Sequence, residues 1–279
     1  MTWSEGMDER ERILAIEAIE RRAWVDGDEH MPPDVRAALG RRVARWGEVL
    51  AIATDSNQSV IFNRTIGVGL DRPVDEALLD AIAAHYAAGP HDHAVQPCPI
   101  AEPRDLAERL ARRGYGHYFS WIKWWRDTTP APAVETTLRI TTARPDEAPL
   151  VRAVATAGFG LPPVMEHAQG TSVGRPGWCH LLAWDGDTSV ATAALFVGGD
   201  TGWLGGATTL PSHRGRGAQR ALIAARIDAA RAAGCRLLAV ETGPDHPERP
   251  NPSYRNMARM GFQIAYPRPS WVYPDPGRR

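Results

Sequence analysis

The residues best suited to chemistry read Arg214-Gly215-Arg216-Gly217-Ala218-Gln219, between a strand-like and a helix-like stretch. Two glycines let consecutive backbone N–H groups face one point with no Cβ in the way. Such a run at a helix start is an anion nest, and the helix dipole adds favourable potential there. Arg214 and Arg216 would reach phosphate oxygens from the side. The ligand implied is a phosphate or pyrophosphate. The same residues also describe a glycine-rich turn with two solvated arginines, and a short glycine pattern alone does not separate the two readings. His91-Asp92-His93 is the other eye-catching cluster. It has no further ligands at useful spacing, so a solvated loop is expected there and no metal.

The rest of the chain sets the context. It has 279 residues, 32 Lys+Arg against 33 Asp+Glu, 43% apolar and 23% charged residues. That is ordinary globular composition, enough for one large domain or two. A net charge of -1 argues against a nucleic-acid partner. Cys98, Cys179 and Cys235 are too scattered for a disulfide framework or a zinc site and read as reduced core residues. No apolar run approaches the ~18 residues a membrane span needs, and Met1 to Arg12 does not read as a signal peptide. The expectation is a cytoplasmic protein without a membrane partner, monomeric or homodimeric. Lys123 is the only lysine, so a Gly-Lys-Ser/Thr phosphate loop is excluded and Schiff-base chemistry is disfavoured.

The elements that must position the loop can be traced in order. Asp127 to Thr137 lacks periodicity, holds two spaced prolines and reads as a linker. After it, 138–144 alternates as a strand, and Pro145-Asp146 opens a helix to about Ala157 that stops at Gly158. Three strands follow, 180–184, 189–197 and 201–210, joined by tight turns into an antiparallel meander. The glycine loop leads into a helix ending at Gly234, with Leu222, Ile223 and Ile227 along one side. A strand at 236–241, a helix started by Asn251-Pro252 and closed at Gly261, and strands at 262–266 and 270–273 complete this half. A parallel βαβ crossover sits at its centre.

The first half repeats part of that plan. Ala111-Arg112-Arg113-Gly114-Tyr115 parallels Ala258-Arg259-Met260-Gly261-Phe262 at a spacing of 147 residues, as do Phe119 with Tyr266 and Trp124 with Trp271. Ala87-Ala88-Gly89 parallels Ala232-Ala233-Gly234 at a spacing of 145. An internal duplication is inferred. A strand is expected at 60–68, a helix at 75–88 and a short strand at 94–97. Amphipathic helices are expected at 8–24 and 33–46.

Residues 138–273 resemble the GNAT N-acetyltransferase superfamily. The resemblance rests on Ala207-Thr208-Thr209-Leu210-Pro211 before Arg214-Gly-Arg-Gly-Ala-Gln219, the following helix, and the later short helix closing on Gly261-Phe262. It implies an α/β (α+β) fold: two GNAT-like domains, each a mixed, mostly antiparallel sheet flanked by helices. Residues 1–127 would be a degenerate copy, 128–137 a linker and 138–279 the acetyl-CoA-binding domain. It further implies acetyl-CoA in a splayed sheet, with the pyrophosphate on the amides from Gly215 to Gln219. The pantetheine would lie along Thr208, Thr209 and Leu210 like an added strand. Asn251, Ser253, Arg255 and Asn256 would contact the cofactor from the short helix. Gln219 stands where the family usually has Gly or Ala, so its side chain must point away.

The activity implied is transfer of an acetyl group to the amine of a small molecule; a non-catalytic acyl-CoA-binding or regulatory module is the alternative. The family's tyrosine position is Met257 here, which leaves Tyr254, on nearly the same helix face, as the candidate acid, with packing beside the helix N-terminus as the other reading. Glu241, at the expected mouth of the splay, is the candidate base, a salt-bridge role being the other reading. Amides near Thr209 would polarise the thioester carbonyl. In the first half Leu70-Asp71-Arg72-Pro73-Val74-Asp75 replaces the glycine loop. Pro73 lacks an N–H and two aspartates repel phosphate, so no CoA is expected there. Trp121, Trp124 and Trp125 would line the acceptor pocket or pack the core.

Overall fold

Asp8 starts the first helix. Its carboxylate accepts from the Glu11 N–H and the Glu11 side chain returns to the Asp8 N–H, a capping box for α1 (Glu9–Glu29). Ile13, Ile16, Ile19 and Ala23 make one buried stripe, and Glu17 and Glu20 lie buried with them. The computed structural model describes residues 6–274. After α1 come α2 (Pro33–Leu39), β1 (Arg41–Trp46), β2 (Val49–Thr54), β3 (Arg64–Ile66), α3 (Glu76–Ala87), β4 (His93–Val95), α4 (Leu106–Arg112) and β5 (Gly116–Arg126). The second half runs β6 (Arg139–Thr142), α5 (Ala148–Phe159), β7 (Trp178–Asp185), β8 (Thr188–Gly198), β9 (Thr201–Thr209), α6 (Ala218–Ala232), β10 (Leu237–Thr242), α7 (Pro252–Arg259) and β11 (Gln263–Tyr273).

All these strands form one sheet in the order β1-β2-β3-β4-β11-β5-β10-β9-β8-β7-β6. The pairs β3–β4 and β9–β10 are parallel and the others antiparallel. Each half ends in a strand lodged beside the other half: β5 pairs with β10, and β11 pairs with β4. The two terminal strands are each 11 residues long, start 147 positions apart and pair with each other. The segment between β5 and β6 has neither helix nor strand. One core cluster joins α1 to β2, α3, β10 and Tyr266; another joins α6 and α7 to Trp124, Leu204, Leu238 and Val240.

The second half follows the expected order, and the differences lie mostly in the first. The helix expected over 33–46 stops at Gly40, which takes φ 59°, and Arg41–Trp46 pairs with β2 instead. Pairing along all six residues with β2 outweighs the helical reading. That partner, wholly buried β2, was not anticipated. The strand expected at 60–68 shrinks to three residues, because 60–62 turn and Gly67 adopts φ 77°. α5 continues through Gly158 to Gly160. Gly158 is there for packing: a Cβ on it would stand 2.6 Å from the Thr208 side chain. The two last strands are one, since β5 pairs with β11 across Pro267 and Pro269.

Candidate functional site

The sheet opens where β9 and β10 part. They pair only over Thr201–Trp203 and Leu237–Ala239. Past Ala239, β10 follows β5 to Thr242, while β9 follows β8 to Thr209. The edge of β9 facing the gap has no strand partner among the described residues from Leu204 onward. Its pairing with β8 jumps from Ala194–Gly205 to Thr192–Thr208, so Gly206 and Ala207 bulge opposite Ala193. Gly206 takes φ 54°, which suits glycine. A bulge of this kind re-aims backbone groups beside the gap. Thr208 and Thr209 are buried at its rim.

The strand leads through a short 3-10 turn, Pro211–His213, into the glycine loop. Gly215 and Gly217 both take φ above 80°, and Gly217 is the N-cap of α6 with no side-chain cap. The first N–H groups of a helix have no intrahelical partner, so the end of α6 offers donors to an anion. The Gln219 Nε2 donates to Thr209 Oγ1 at 2.9 Å, which ties the start of α6 to the end of β9. The two arginines are tethers and do not stand free for phosphate. Arg214 donates to Thr209 O and Gly158 O, both at 3.3 Å. Arg216 binds both oxygens of Asp185 at 2.5 and 3.0 Å, and that bond holds the Asp185 carboxyl below its ordinary range. An anion at this helix start would therefore rest on backbone amides.

α7 borders the other side of the gap. Asn251 Oδ1 accepts from the N–H groups of Ser253 and Tyr254, and its Nδ2 donates to Gly243 O and Pro244 O. Both ends of the Asn251 side chain therefore serve the cap. Ser253 and Arg255 are exposed and Asn256 is partly so. Met257 is buried in the core. Tyr254 stands edge-on to Trp124, ring centroids 4.7 Å apart. Trp124 is a core residue whose Nε1 donates to Thr242 Oγ1 at 2.9 Å, and Trp125 carries the Arg12 guanidinium 4.5 Å above its ring.

Glu241 is not a free carboxylate. Its Oε1 accepts from Arg64 Nη1 at 2.8 Å; its Oε2 accepts from Arg268 Nη2 at 2.7 Å and Lys123 Nζ at 3.3 Å. Glu20 takes the same three cations, with Lys123 at 2.5 Å. Glu17 binds Arg268 and accepts the Tyr266 hydroxyl at 2.6 Å. Three acids and three bases thus balance in a buried cluster on α1, β3, β5, β10 and β11. Burial alone would raise the Glu20 carboxyl, but Arg268, Lys123 and Arg64 outweigh it and hold it well below the usual carboxylate range. Both Glu241 oxygens already serve charged donors. Three charged donors on one carboxylate suit a salt-bridged anchor and not the free base expected.

The corresponding gap in the first half is filled by its own chain. β3 and β4 pair over two residues, and beyond them the Glu102 N–H donates to Gly69 O while the Val74 N–H donates to Glu102 O. The start of α3 is capped by Asp75, which accepts from the Leu78 N–H at 2.8 Å. Strand edge and helix start are both occupied. His93 donates to or accepts from Tyr115 OH and is buried, and no group of three metal-ligating side chains exists among the described residues. The charge cluster was missed from sequence, although two signals pointed to it. Glu17 and Glu20 share the helix face of Ile13 and Ile16, and the sole lysine sits inside Trp121-Ile-Lys-Trp-Trp125.

Residues 142–262 match the acetyltransferase (GNAT) family. A GCN5-related N-acetyltransferase from Kribbella flavida superposes with TM-score 0.57 at 20% identity, over 87% of this chain and 95% of that one. One from Sphaerobacter thermophilus gives 0.57 at 17%, over 80% and 79%. A tandem GNAT protein from the clavulanic acid biosynthesis pathway gives 0.56 at 17%, over 82% and 81%. No curated protein matches the chain. The chain therefore has the fold of these GNAT proteins, and the part matched by the family is 142–262; the solved neighbours include a tandem protein. Among the described residues no helix is long and apolar enough to cross a membrane.

Proposed function

We propose that the protein transfers an acetyl group from acetyl-CoA to the amine of a small molecule, using the gap between β9 and β10. The observation that carries this reading is the unpartnered, bulged edge of β9 running directly into an uncapped, glycine-lined helix start. The residues fit the cofactor. The amides from Gly215 to Gln219 would hold the pyrophosphate, with both arginine side chains tied back. The edge at Thr208 and Thr209 would pair with the pantetheine amides; Leu210, expected to join them, is already used, its N–H donating to Val190 O and its carbonyl accepting from the His213 N–H. Acetyl-CoA supplies the activated acyl group.

The chain's own groups then do four things. Amides at the β9 bulge polarise the carbonyl as it gains charge. Tyr254, at the α7 border of the gap, gives a proton to the departing sulfur. Glu241, fixed by three cations, keeps the mouth of the gap charged and ordered, and the amine proton leaves to water there. The first half (residues 1–127, joined through 128–137 to 138–279) is a degenerate copy that binds no CoA. It contributes Arg64 and Lys123 to the cluster that holds Glu241.

The test is a CoA-thiol release screen with acetyl-CoA over amino acids, polyamines, aminoglycosides and arylamines. Release dependent on one amine class supports the reading. Acetyl-CoA binding with no release across the panel would support the second reading, a non-catalytic acyl-CoA-binding module. One observation favours that second reading: Met257 is buried in the core where the resembling family places its tyrosine.

A further inference from the structure

We propose that Thr136, in the segment between the halves, is a positioning residue that aims the Gly217 N–H at the pyrophosphate of acetyl-CoA. The inference rests on the reading of the glycine loop as the CoA site. A peptide group is planar and trans, so the Arg216 carbonyl and the Gly217 N–H point in opposite directions. Thr136 Oγ1 donates to Arg216 O at 2.9 Å. That bond draws the carbonyl toward the connecting segment and turns the Gly217 N–H away from it, into the loop. Glycine at 217, on one side of this peptide, leaves it easy to rotate, since glycine accepts either sign of φ. Something outside the loop has to fix it.

The surrounding contacts serve the same end. The Leu138 N–H donates to Thr136 Oγ1 at 3.2 Å, which orients the hydroxyl. Arg216 is held on its other side by Asp185 and reaches Thr137 Oγ1 at 3.4 Å. The Glu135 carbonyl lies 2.8 Å from where a Cβ on Gly217 would stand, so the connecting segment presses on the loop itself. Val134 and Thr136 continue along α6 past Ala221, Ala224 and Asp228. The chain between the halves is thus a strap across α6 whose end sets the loop.

The experiment is calorimetric titration of the full chain with CoA and with S-acetylpantetheine, which lacks the pyrophosphate. Wild type, Thr136→Val and Thr136→Ser are compared, with thermal melts of each. Loss of one oriented hydrogen bond should raise the CoA Kd about 5- to 10-fold in Thr136→Val. S-acetylpantetheine binding and the melting temperature should hold, and Thr136→Ser should restore CoA affinity. An unchanged CoA Kd in Thr136→Val overturns the inference. So does equal weakening of both ligands, which would mean general loosening. Absence of CoA binding by the wild type would instead overturn the underlying reading of the loop.

Discussion

Tyr118 of β5 and Ala265 of β11 hold the same place in two strands that pair with each other. Ala265 is passed over between the pairs Ile264–Trp124 and Tyr266–Lys123, and Tyr118 between Ser270–Phe119 and Trp271–His117. They are 147 residues apart, the spacing of Gly114 and Gly261. Every pair in this ladder maps onto another pair when the two strands are exchanged by that spacing. Gln263–Trp125 becomes Val272–Gly116, and Arg268–Trp121 maps onto itself. A bulge is a positional feature of a strand and not a random defect, so its recurrence supports the proposed duplication.

The exchange of β5 and β11 predicts one cooperative unit. Neither half retains a complete sheet without the other's last strand. Scanning calorimetry of the full chain should show a single transition, with calorimetric and van't Hoff enthalpies in agreement. Two resolved transitions would show that the halves fold separately.

The balanced charge cluster predicts a large penalty for unbalancing it. Lys123→Met leaves Glu20 and Glu241 each short of a partner in a dry site. It should cost roughly 3–5 kcal/mol of unfolding free energy, measured by urea titration. Lys123→Arg keeps the charge and should cost clearly less. Equal effects of the two would mean that packing, and not charge, is what Lys123 supplies.

Much of this site was legible in the sequence, for identifiable reasons. The glycine loop, the Asn251 cap and the end of α7 at Gly261 are local signals read over a few residues, and the structure has them where expected. The roles of Arg214 and Arg216 were not legible, and for Glu241 the salt bridge was one of two readings that the sequence could not separate, because the partners are remote. Asp185 lies on a hairpin turn before the loop, and Arg64 and Lys123 lie in the other half. β1 was hidden because Arg41, Arg42 and Arg45 look solvated, and only pairing with β2 makes that stretch a strand. Chain segments that fill a gap, such as Glu102 in the first half, carry no signal at all, since backbone atoms do the work.

Tyr254 gives a kinetic prediction. Tyr254→Phe keeps the ring against Trp124 and removes only the hydroxyl. As proton donor to the leaving sulfur it should lower kcat at least ~10-fold, with KM for acetyl-CoA within about twofold. An unchanged kcat would assign the proton to water.

The buried histidines give a pH prediction. Burial lowers His180 to about 4 and His93 to about 3. An unfolded histidine titrates near ~6.5. Between those values the unfolded chain binds protons that the folded one does not. The stability is therefore complete above about pH 6.5 and falls as the pH drops through the folded pKa values. For His180 the effect is on the order of 3 kcal/mol. Urea midpoints at pH 7.5 and pH 5 should differ in the wild type and differ less in His180→Gln. An identical pH slope in the variant would remove His180 as the source.

The proposed function places one CoA on the loop at Gly217 and none in the first half. Calorimetric titration of the full chain with CoA measures this directly. The predicted result is one CoA per chain, with affinity lowered at least tenfold, about 1.4 kcal/mol, by Gly217→Trp and unaffected by Asp75→Ala. Two CoA per chain, or a single site indifferent to Gly217→Trp, would contradict it.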